Sequence, residues 1–236
     1  MRDILVVGGV STAGRNIYVL DSNDETMPER DYEPVSVPGK SGDLHFSNNR
    51  YLNKEITYKC VCMGNAKQTV PAICSELLAQ SGYVRIEDTL NPEYYKIGEF
   101  RGGTVPEFAS CKDAARFDLI FDCKPQKWLK SGENKISVAS GGTLTNPTFY
   151  PAYPLLEITG SGAIGIGSRI LTIVDNPGTL IFDCDIGDAY SKTAHANYNQ
   201  YVTQDKAEKY TLESGDTGIT LASGMTLKIT PRWWFL

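Results

Sequence analysis

Phe117-Asp118-Leu119-Ile120-Phe121-Asp122-Cys123-Lys124-Pro125-Gln126-Lys127-Trp128-Leu129-Lys130-Ser131-Gly132 is the stretch on which the chain divides. Its opening residues alternate, with Phe117, Leu119, Phe121 and Cys123 on one side and Asp118, Ile120 and Asp122 on the other. A period of two marks a strand with one buried face. Pro125 lacks a ladder donor, basic residues follow, and Ser131-Gly132 opens a turn. This reads as the last strand of a first domain, residues 1–130, running into a linker. Residues 131–236 then form a second domain.

Before this stretch the pattern is mixed. Residues 3–7 and 17–20 are short apolar strands across Gly8-Gly9 and Ser11–Gly14. Between Met27 and Leu44, Pro38-Gly39 and Ser41-Gly42-Asp43 mark a turn between extended arms, and Pro28 and Pro34 keep the first arm out of a central strand. An edge or projecting hairpin is expected there. Residues 55–63 alternate, with Ile56, Tyr58, Cys60 and Cys62 on one face. One helix is expected from about Thr69, with Pro71 in its first turn, a buried stripe of Ile73, Cys74, Leu77 and Leu78, and a stop at Gly82. Strand 83–87, an acidic Tyr-rich loop and extended stretches at 95–100 and 104–111 complete a β-rich α+β unit with a single helix.

After Gly132 helix signals vanish. Short β-rich runs recur, punctuated by Gly141-Gly142, Asn146-Pro147, Gly160-Ser161-Gly162, Asn176-Pro177-Gly178 and Ser214-Gly215. Regular short strands with frequent turns indicate an antiparallel sandwich. The fold class is therefore mainly β.

Composition bounds the function. The 236 residues carry a formal net charge of −5, with 41% apolar and 22% charged residues, as in soluble globular proteins. No basic stripe of the kind nucleic-acid binders display is present, although passage of DNA along an acidic wall is compatible with this charge. No apolar run reaches bilayer length, and the N-terminus does not read as a signal peptide, so a cytosolic site of synthesis and no membrane insertion are expected. The six cysteines, Cys60, Cys62, Cys74, Cys111, Cys123 and Cys184, contain no C-x-x-C pair and read as reduced structural thiols.

The chemical motifs are weak. Gly160–Gly165 matches G-x-G-x-x-G, but the residues after it are β-branched and alternating where a dinucleotide site needs a helix, so a hairpin turn is expected. Asp183, Asp185 and Asp188 cluster around Gly187 without the spacing of a calcium loop. A glycosidase pair built from Asp183 and Asp185 lacks any sign of a pocket between them. His45 lies in the strand after the hairpin and faces solvent, and His195 sits in a polar loop with no ligand or catalytic partner at suitable spacing. No catalytic residue, metal ligand or cofactor site is assigned. The C-terminal Trp233-Trp234-Phe235 reads either as a plug for the chain's own core or domain seam, with Trp128, or as a partner anchor.

Taken in order, several strings resemble the distal tail (Dit) protein family of long-tailed phages that infect Gram-positive bacteria. They are Pro28–Asp31, Val35–Leu44, Gln80–Asp88, Phe121–Glu133, Thr145–Thr148, Ile186–Tyr190 and Ile229–Trp234. The resemblance spans essentially the whole chain. It implies an N-terminal ring-forming domain and a C-terminal galectin-like β-sandwich, with a final strand that in relatives can return toward the N-terminal domain. It further implies a homohexameric, non-enzymatic virion component of the tail tip or baseplate, assembled in the host cytoplasm. Such a ring joins the tail tube protein on one side to the tail-associated hub or lysin protein on the other, with tape measure and receptor-binding proteins as further partners and DNA only in transit. Arg30, Val37, Pro38, Gly39, Lys40, Asp43 and Leu44 on the hairpin are the expected subunit contacts. A carbohydrate-binding role in host attachment is the alternative, with Tyr190, Tyr198 and Tyr201 as its aromatic platform.

Overall fold

The computed structural model describes residues 3–110, 113–193, 196–205 and 209–236. Cys111 and His195 lie outside the described residues. In chain order the first half contains β1 (Leu5–Val7), β2 (Val10–Ser11), β3 (Ile17–Ser22), β4 (Arg30–Ser36), β5 (Asp43–Tyr51), β6 (Lys54–Met63), helix α1 (Ala66–Leu78), β7 (Val84–Asp88), β8 (Tyr94–Phe100), β9 (Glu107–Phe108) and β10 (Ala114–Leu129). The second half contains β11 (Ile136–Val138), β12 (Thr143–Asn146), β13 (Leu155–Thr159), β14 (Gly162–Ile166), β15 (Arg169–Ile173), β16 (Thr179–Asp183), β17 (Asp188–Ser191), β18 (Val202–Gln204), β19 (Gly215–Leu221), β20 (Thr226–Thr230) and β21 (Trp234–Phe235). Two units result, Met1–Lys127 with Leu236, and Trp128–Phe235.

β10 is longer than its alternation suggests. It runs for 16 residues straight through Pro125. Its antiparallel ladder with β6 extends from Ala114–Met63 to Cys123–Lys54 and stops there. Pro125 lies beyond the last rung, so its missing N–H removes no bond to β6.

In the first unit the main sheet has the order β2-β1-β7-β8-β10-β6-β3, with β9 also on β10. An antiparallel bridge between Asp3 and Val19 brings the chain start against β3. The inward residues of β6 and β10, Ile56, Tyr58, Cys60, Cys62, Phe117, Leu119, Phe121 and Cys123, share one core with Val70, Ile73 and Leu77 of α1. Each large apolar side chain buried there contributes about 1.5–3 kcal/mol.

The helix differs from expectation at its start. It begins at Ala66 rather than near Thr69, and Pro71 falls in the second turn, where it deprives the Lys67 carbonyl of a helical donor. The start is held from outside: the Asn65 N–H donates to Asp113 Oδ1 at 2.7 Å, and the Gly64 and Ala66 N–H groups donate to the Asp113 carbonyl. The buried stripe is Ala66, Val70, Ile73 and Leu77, whereas Cys74 is half-buried and Leu78 is exposed. The helix ends at Leu78, ahead of Gly82. In the 104–111 stretch only the two residues of β9 pair as a strand among the described residues.

The second unit has two five-stranded antiparallel sheets, β11-β20-β13-β16-β17 and β12-β19-β14-β15-β18. Leu156, Ile158, Leu180, Phe182, Leu227 and Ile229 from the first meet Ile164, Ile166, Leu171, Ile173 and Ile219 from the second in one core. The G-x-G-x-x-G match leads into β14, which pairs with β15, so no helix opens on it. The described cysteines, Cys60, Cys62, Cys74, Cys123 and Cys184, are free thiols.

Candidate assembly interface

β4 and β5 form a two-stranded sheet of their own. Residues 43–50 are all exposed, including Leu44 and Phe46. At the tip the Lys40 N–H returns to the Val37 carbonyl at 3.1 Å, and Gly39 and Gly42 take the positive φ values of 80° and 85° that the turn requires. The hairpin gathers the expected contact residues at two separate places. Val37, Pro38, Gly39 and Lys40 make the tip with Asp43 and Leu44 just beyond it. Arg30 sits at the base, its guanidinium 5.6 Å from the Tyr51 ring centre.

Below the hairpin lies a buried ionic cluster that the sequence reading missed. The Lys96 ammonium, fully buried, donates to Asp24 Oδ2 and Asp88 Oδ2, both at 2.8 Å. The Tyr58 hydroxyl donates to Asp88 Oδ2 at 2.8 Å, and the Tyr94 hydroxyl to Asp24 Oδ2 at 2.6 Å. Lys54 Nζ donates to the carbonyl oxygens of Asp24 and Thr26 at 3.1 and 3.2 Å. Asp24 Oδ1 accepts no hydrogen bond, and the ammoniums of Lys54 and Lys127 each lie 3.6 Å from it. Three lysines thus face two aspartates, a formal charge of +1 inside the first unit.

Burial and charge compete within this cluster. Burial pushes the Asp24 carboxyl up, but the Lys96 charge and the hydrogen bonds from Lys96 and Tyr94 outweigh it and hold the group below its ordinary value. Burial, together with repulsion from Lys127, lowers Lys54 to about 8 against the pull of Asp24. Burial and the adjacent Asp88 push the Tyr58 hydroxyl well above its usual value. Asn23 adds uncharged stitches, accepting from the Thr57 N–H at 2.7 Å and donating to the Glu55 carbonyl. Loop 23–26 leads into β4 and Lys54 opens β6, so both roots of the hairpin end on one buried cluster.

The other expected site residues lie in the second unit. Trp233 is 4% exposed within its core, and its carbonyl accepts from the Leu129 N–H at 2.9 Å. Trp234 stacks on Tyr150 with ring centres 4.6 Å apart and donates from Nε1 to the Pro151 carbonyl at 3.0 Å. Trp128, at the end of β10, is half-buried. Tyr198 and Tyr201 meet edge-to-face at 5.1 Å and pack against the core, while the Tyr190 ring is more exposed. Asn199 is engaged internally, accepting from the Ala189 N–H and donating to Asp188. Asp183 is clamped by both Arg232 guanidinium nitrogens at 2.8 and 2.9 Å, and Asp185 pairs with Lys209 at 3.1 Å. No group of three or more His, Cys, Asp or Glu side chains among the described residues is placed to hold a metal ion. No helix among them is long and apolar enough to cross a membrane.

The chain thus consists of two mainly β units, the first bearing a two-stranded hairpin on a charged root. The chain is similar over its entire length to the SPP1 Dit (gp 19.1) protein, described as a paradigm of the hub adsorption apparatus in phages infecting Gram-positive bacteria. The TM-score is 0.77 at 12% identity, with 100% of both chains covered. It is also similar to a chain of the phage P2 baseplate in its activated, calcium-containing conformation, with a TM-score of 0.50 at 9% identity and 97% of both chains covered. No protein-family model matches the sequence, and no curated protein sequence matches it. The fold is that of the Dit hub protein.

Proposed function

We propose that this chain is a structural tail-tip component, a distal tail protein that closes into a six-membered ring between the tail tube and the tail-tip hub. The observation that carries this reading is the end-to-end fold match to a phage hub protein, with both chains fully covered. A heterologous contact repeated around an axis builds such a ring from one surface, and an exposed hairpin is suitable material for it. The ring leaves a channel for DNA, and a net charge of −5 suits a wall on which phosphate does not stick. Tube and hub proteins occupy its two faces, with tape measure and receptor-binding proteins as further neighbours.

The test is the solution mass of the purified protein across a concentration series, with negative-stain images of the same fractions and, if needed, the tube and hub proteins added as templates. Six-fold rings with a central hole support the reading, and their absence under all these conditions overturns it. Deleting the tip, residues 38–42, is expected to abolish rings and leave a folded monomer. DNA binding that weakens steeply with salt would count against the neutral or negative channel.

A further inference from the structure

The buried cluster of the first unit holds an amine and a carboxylate in direct contact, with a second carboxylate on the same nitrogen. The side chains of Lys96 and Asp88 are 0% exposed and that of Asp24 is 2% exposed. Lys96 comes from β8, Asp88 from the end of β7, and Asp24 from the loop between β3 and β4, 72 residues away from Lys96. The rings of Tyr58 and Tyr94 flank the ammonium, with centres 5.2 and 5.3 Å from Nζ. Holding ions out of water is costly, and turning two of them into one neutral group removes that cost.

The two aspartates are held differently. Asp88 is saturated as an anion: its Oδ1 accepts from the Asn91 N–H at 2.8 Å, and its Oδ2 from the Tyr58 hydroxyl and Lys96. Asp24 takes both of its side-chain hydrogen bonds, from Lys96 and the Tyr94 hydroxyl, on Oδ2. Its Oδ1 accepts none and faces the ammoniums of Lys54 and Lys127, each at 3.6 Å. One oxygen is surrounded by proton donors, which suits a leaving oxygen, and the other by positive charge, which suits a developing oxyanion.

We propose that Lys96 and Asp24 condense into an intramolecular amide that ties β8 to the loop entering β4, with Asp88 relaying a proton. Across the 2.8 Å contact one proton passes from Lys96 Nζ to Asp24 Oδ2, giving the neutral amine and acid that burial favours. The nitrogen lone pair bonds to Asp24 Cγ, and the C=O electron pair moves onto Oδ1, beside Lys54 and Lys127. Asp88 Oδ2, 2.8 Å from the same nitrogen, takes its second proton and returns it to the Oδ2 hydroxyl of Asp24. The electron pair on Oδ1 re-forms the carbonyl, the Cγ–Oδ2 bond breaks with its electrons, and Oδ2 leaves as water. One amide and one water replace one ammonium and one carboxylate. The cluster keeps its formal charge of +1, and no co-reactant is consumed. Groups fixed in contact react as if at concentrations far above any reached in solution, which is what drives a condensation that free lysine and aspartate do not undergo. The bond forms within one chain and does not depend on whether copies assemble.

The test is the intact mass of the purified full chain, unfolded in acid after prolonged incubation of the folded protein. A species lighter than its sequence by one water is expected. Its protease digest should contain one branched peptide that joins the Asp24 and Lys96 segments, with no tryptic cut after Lys96. A chain at its full sequence mass overturns the proposal, and so does a water loss confined to unlinked peptides, the mark of a cyclised side chain. Lys96→Arg and Asp24→Ala should both stay at full mass, and water loss persisting in either overturns it equally. Asp88→Asn should slow the reaction, followed from synthesis in a cell-free mixture, at least about tenfold, with an unchanged circular dichroism spectrum. An unaltered rate in that variant removes Asp88 from the reaction.

Discussion

Lys54 donates to the carbonyl oxygen of Asp24 at 3.1 Å, so the first residue of β6 is tied to the loop that leads into β4. The tie has a pH signature. Folded Lys54 releases its proton near pH 8, whereas the unfolded side chain holds it until about 10.5. Between these values Lys54 is more protonated in the unfolded chain, so its contribution to stability rises with pH. From pH 7.5 to 9.5 the contribution of Lys54 to the free energy of unfolding is expected to rise by about 2 kcal/mol. Against it stand the Cys60, Cys123 and Cys184 thiols, which burial pushes up and which therefore act in the opposite sense as the unfolded thiols ionise near pH 9. Tyr58 and Tyr94 act in the opposite sense above pH 10, because the folded state keeps their protons longer than the unfolded state does. Urea unfolding across this range should show the unaltered protein gaining about 2 kcal/mol relative to Lys54→Met, the cysteine contribution being common to both.

Lys96→Met tests the centre of the same cluster. The change leaves Asp24 and Asp88 buried without their shared cation and should cost about 3–5 kcal/mol. Lys54→Met should cost less at neutral pH. Lys54 donates only to the carbonyl oxygens of Asp24 and Thr26 and lies 3.6 Å from the Asp24 carboxylate, whereas Lys96 bridges both carboxylates at 2.8 Å. Equal urea midpoints for the two variants would refute this ordering.

In the second unit Glu157 lies between Lys135 at 2.8 Å and Lys192 at 2.7 Å. Their hydrogen bonds hold its carboxyl at about 2, below the usual 4.5. The stabilisation is complete above pH 4.5 and lost as pH falls toward 2. Both lysines are about half exposed, so the pair is worth about 1 kcal/mol in ordinary salt. Glu157→Gln should lower the melting temperature at pH 7 and converge with the unaltered protein near pH 2.

Gly132 is required by close approach, since a Cβ there would press on the backbone nitrogen of Trp233. Its carbonyl also accepts from the Arg232 N–H at 2.8 Å. Gly132→Ala is expected to cost about 1–3 kcal/mol and to shift tryptophan emission as Trp233 moves. An unchanged melting temperature and spectrum would show that the segment yields freely.

Much of the architecture was legible because period-two alternation survives burial: Ile56–Cys62 and Phe117–Cys123 are core faces in the structure. The hairpin was legible from prolines and glycines. The helix start was not, because its cap comes from Asp113, 48 residues away. Pro125 misled because a proline ends a strand only where a neighbour needs its N–H, and sequence does not show where a ladder stops. The ionic cluster had left a trace. Lys54 is in phase with Ile56 and Tyr58, and Lys127 with Phe121 and Cys123, so a lysine on the apolar register was the signal. What no pattern within one strand can show is that Asp24 and Asp88, from two different loops and strands, arrive opposite them.

The coupling of the hairpin to β6 also has a mechanical meaning. Only Leu52 and Asn53 separate the end of β5 from Lys54, where the rungs shared with β10 begin. A pull on the hairpin along that strand therefore loads those backbone bonds side by side, in shear, instead of unzipping them singly. The ion pairs at the junction resist the first slip. The arm is built as a tether, able to transmit tension to the body of the protein without unravelling at its own root.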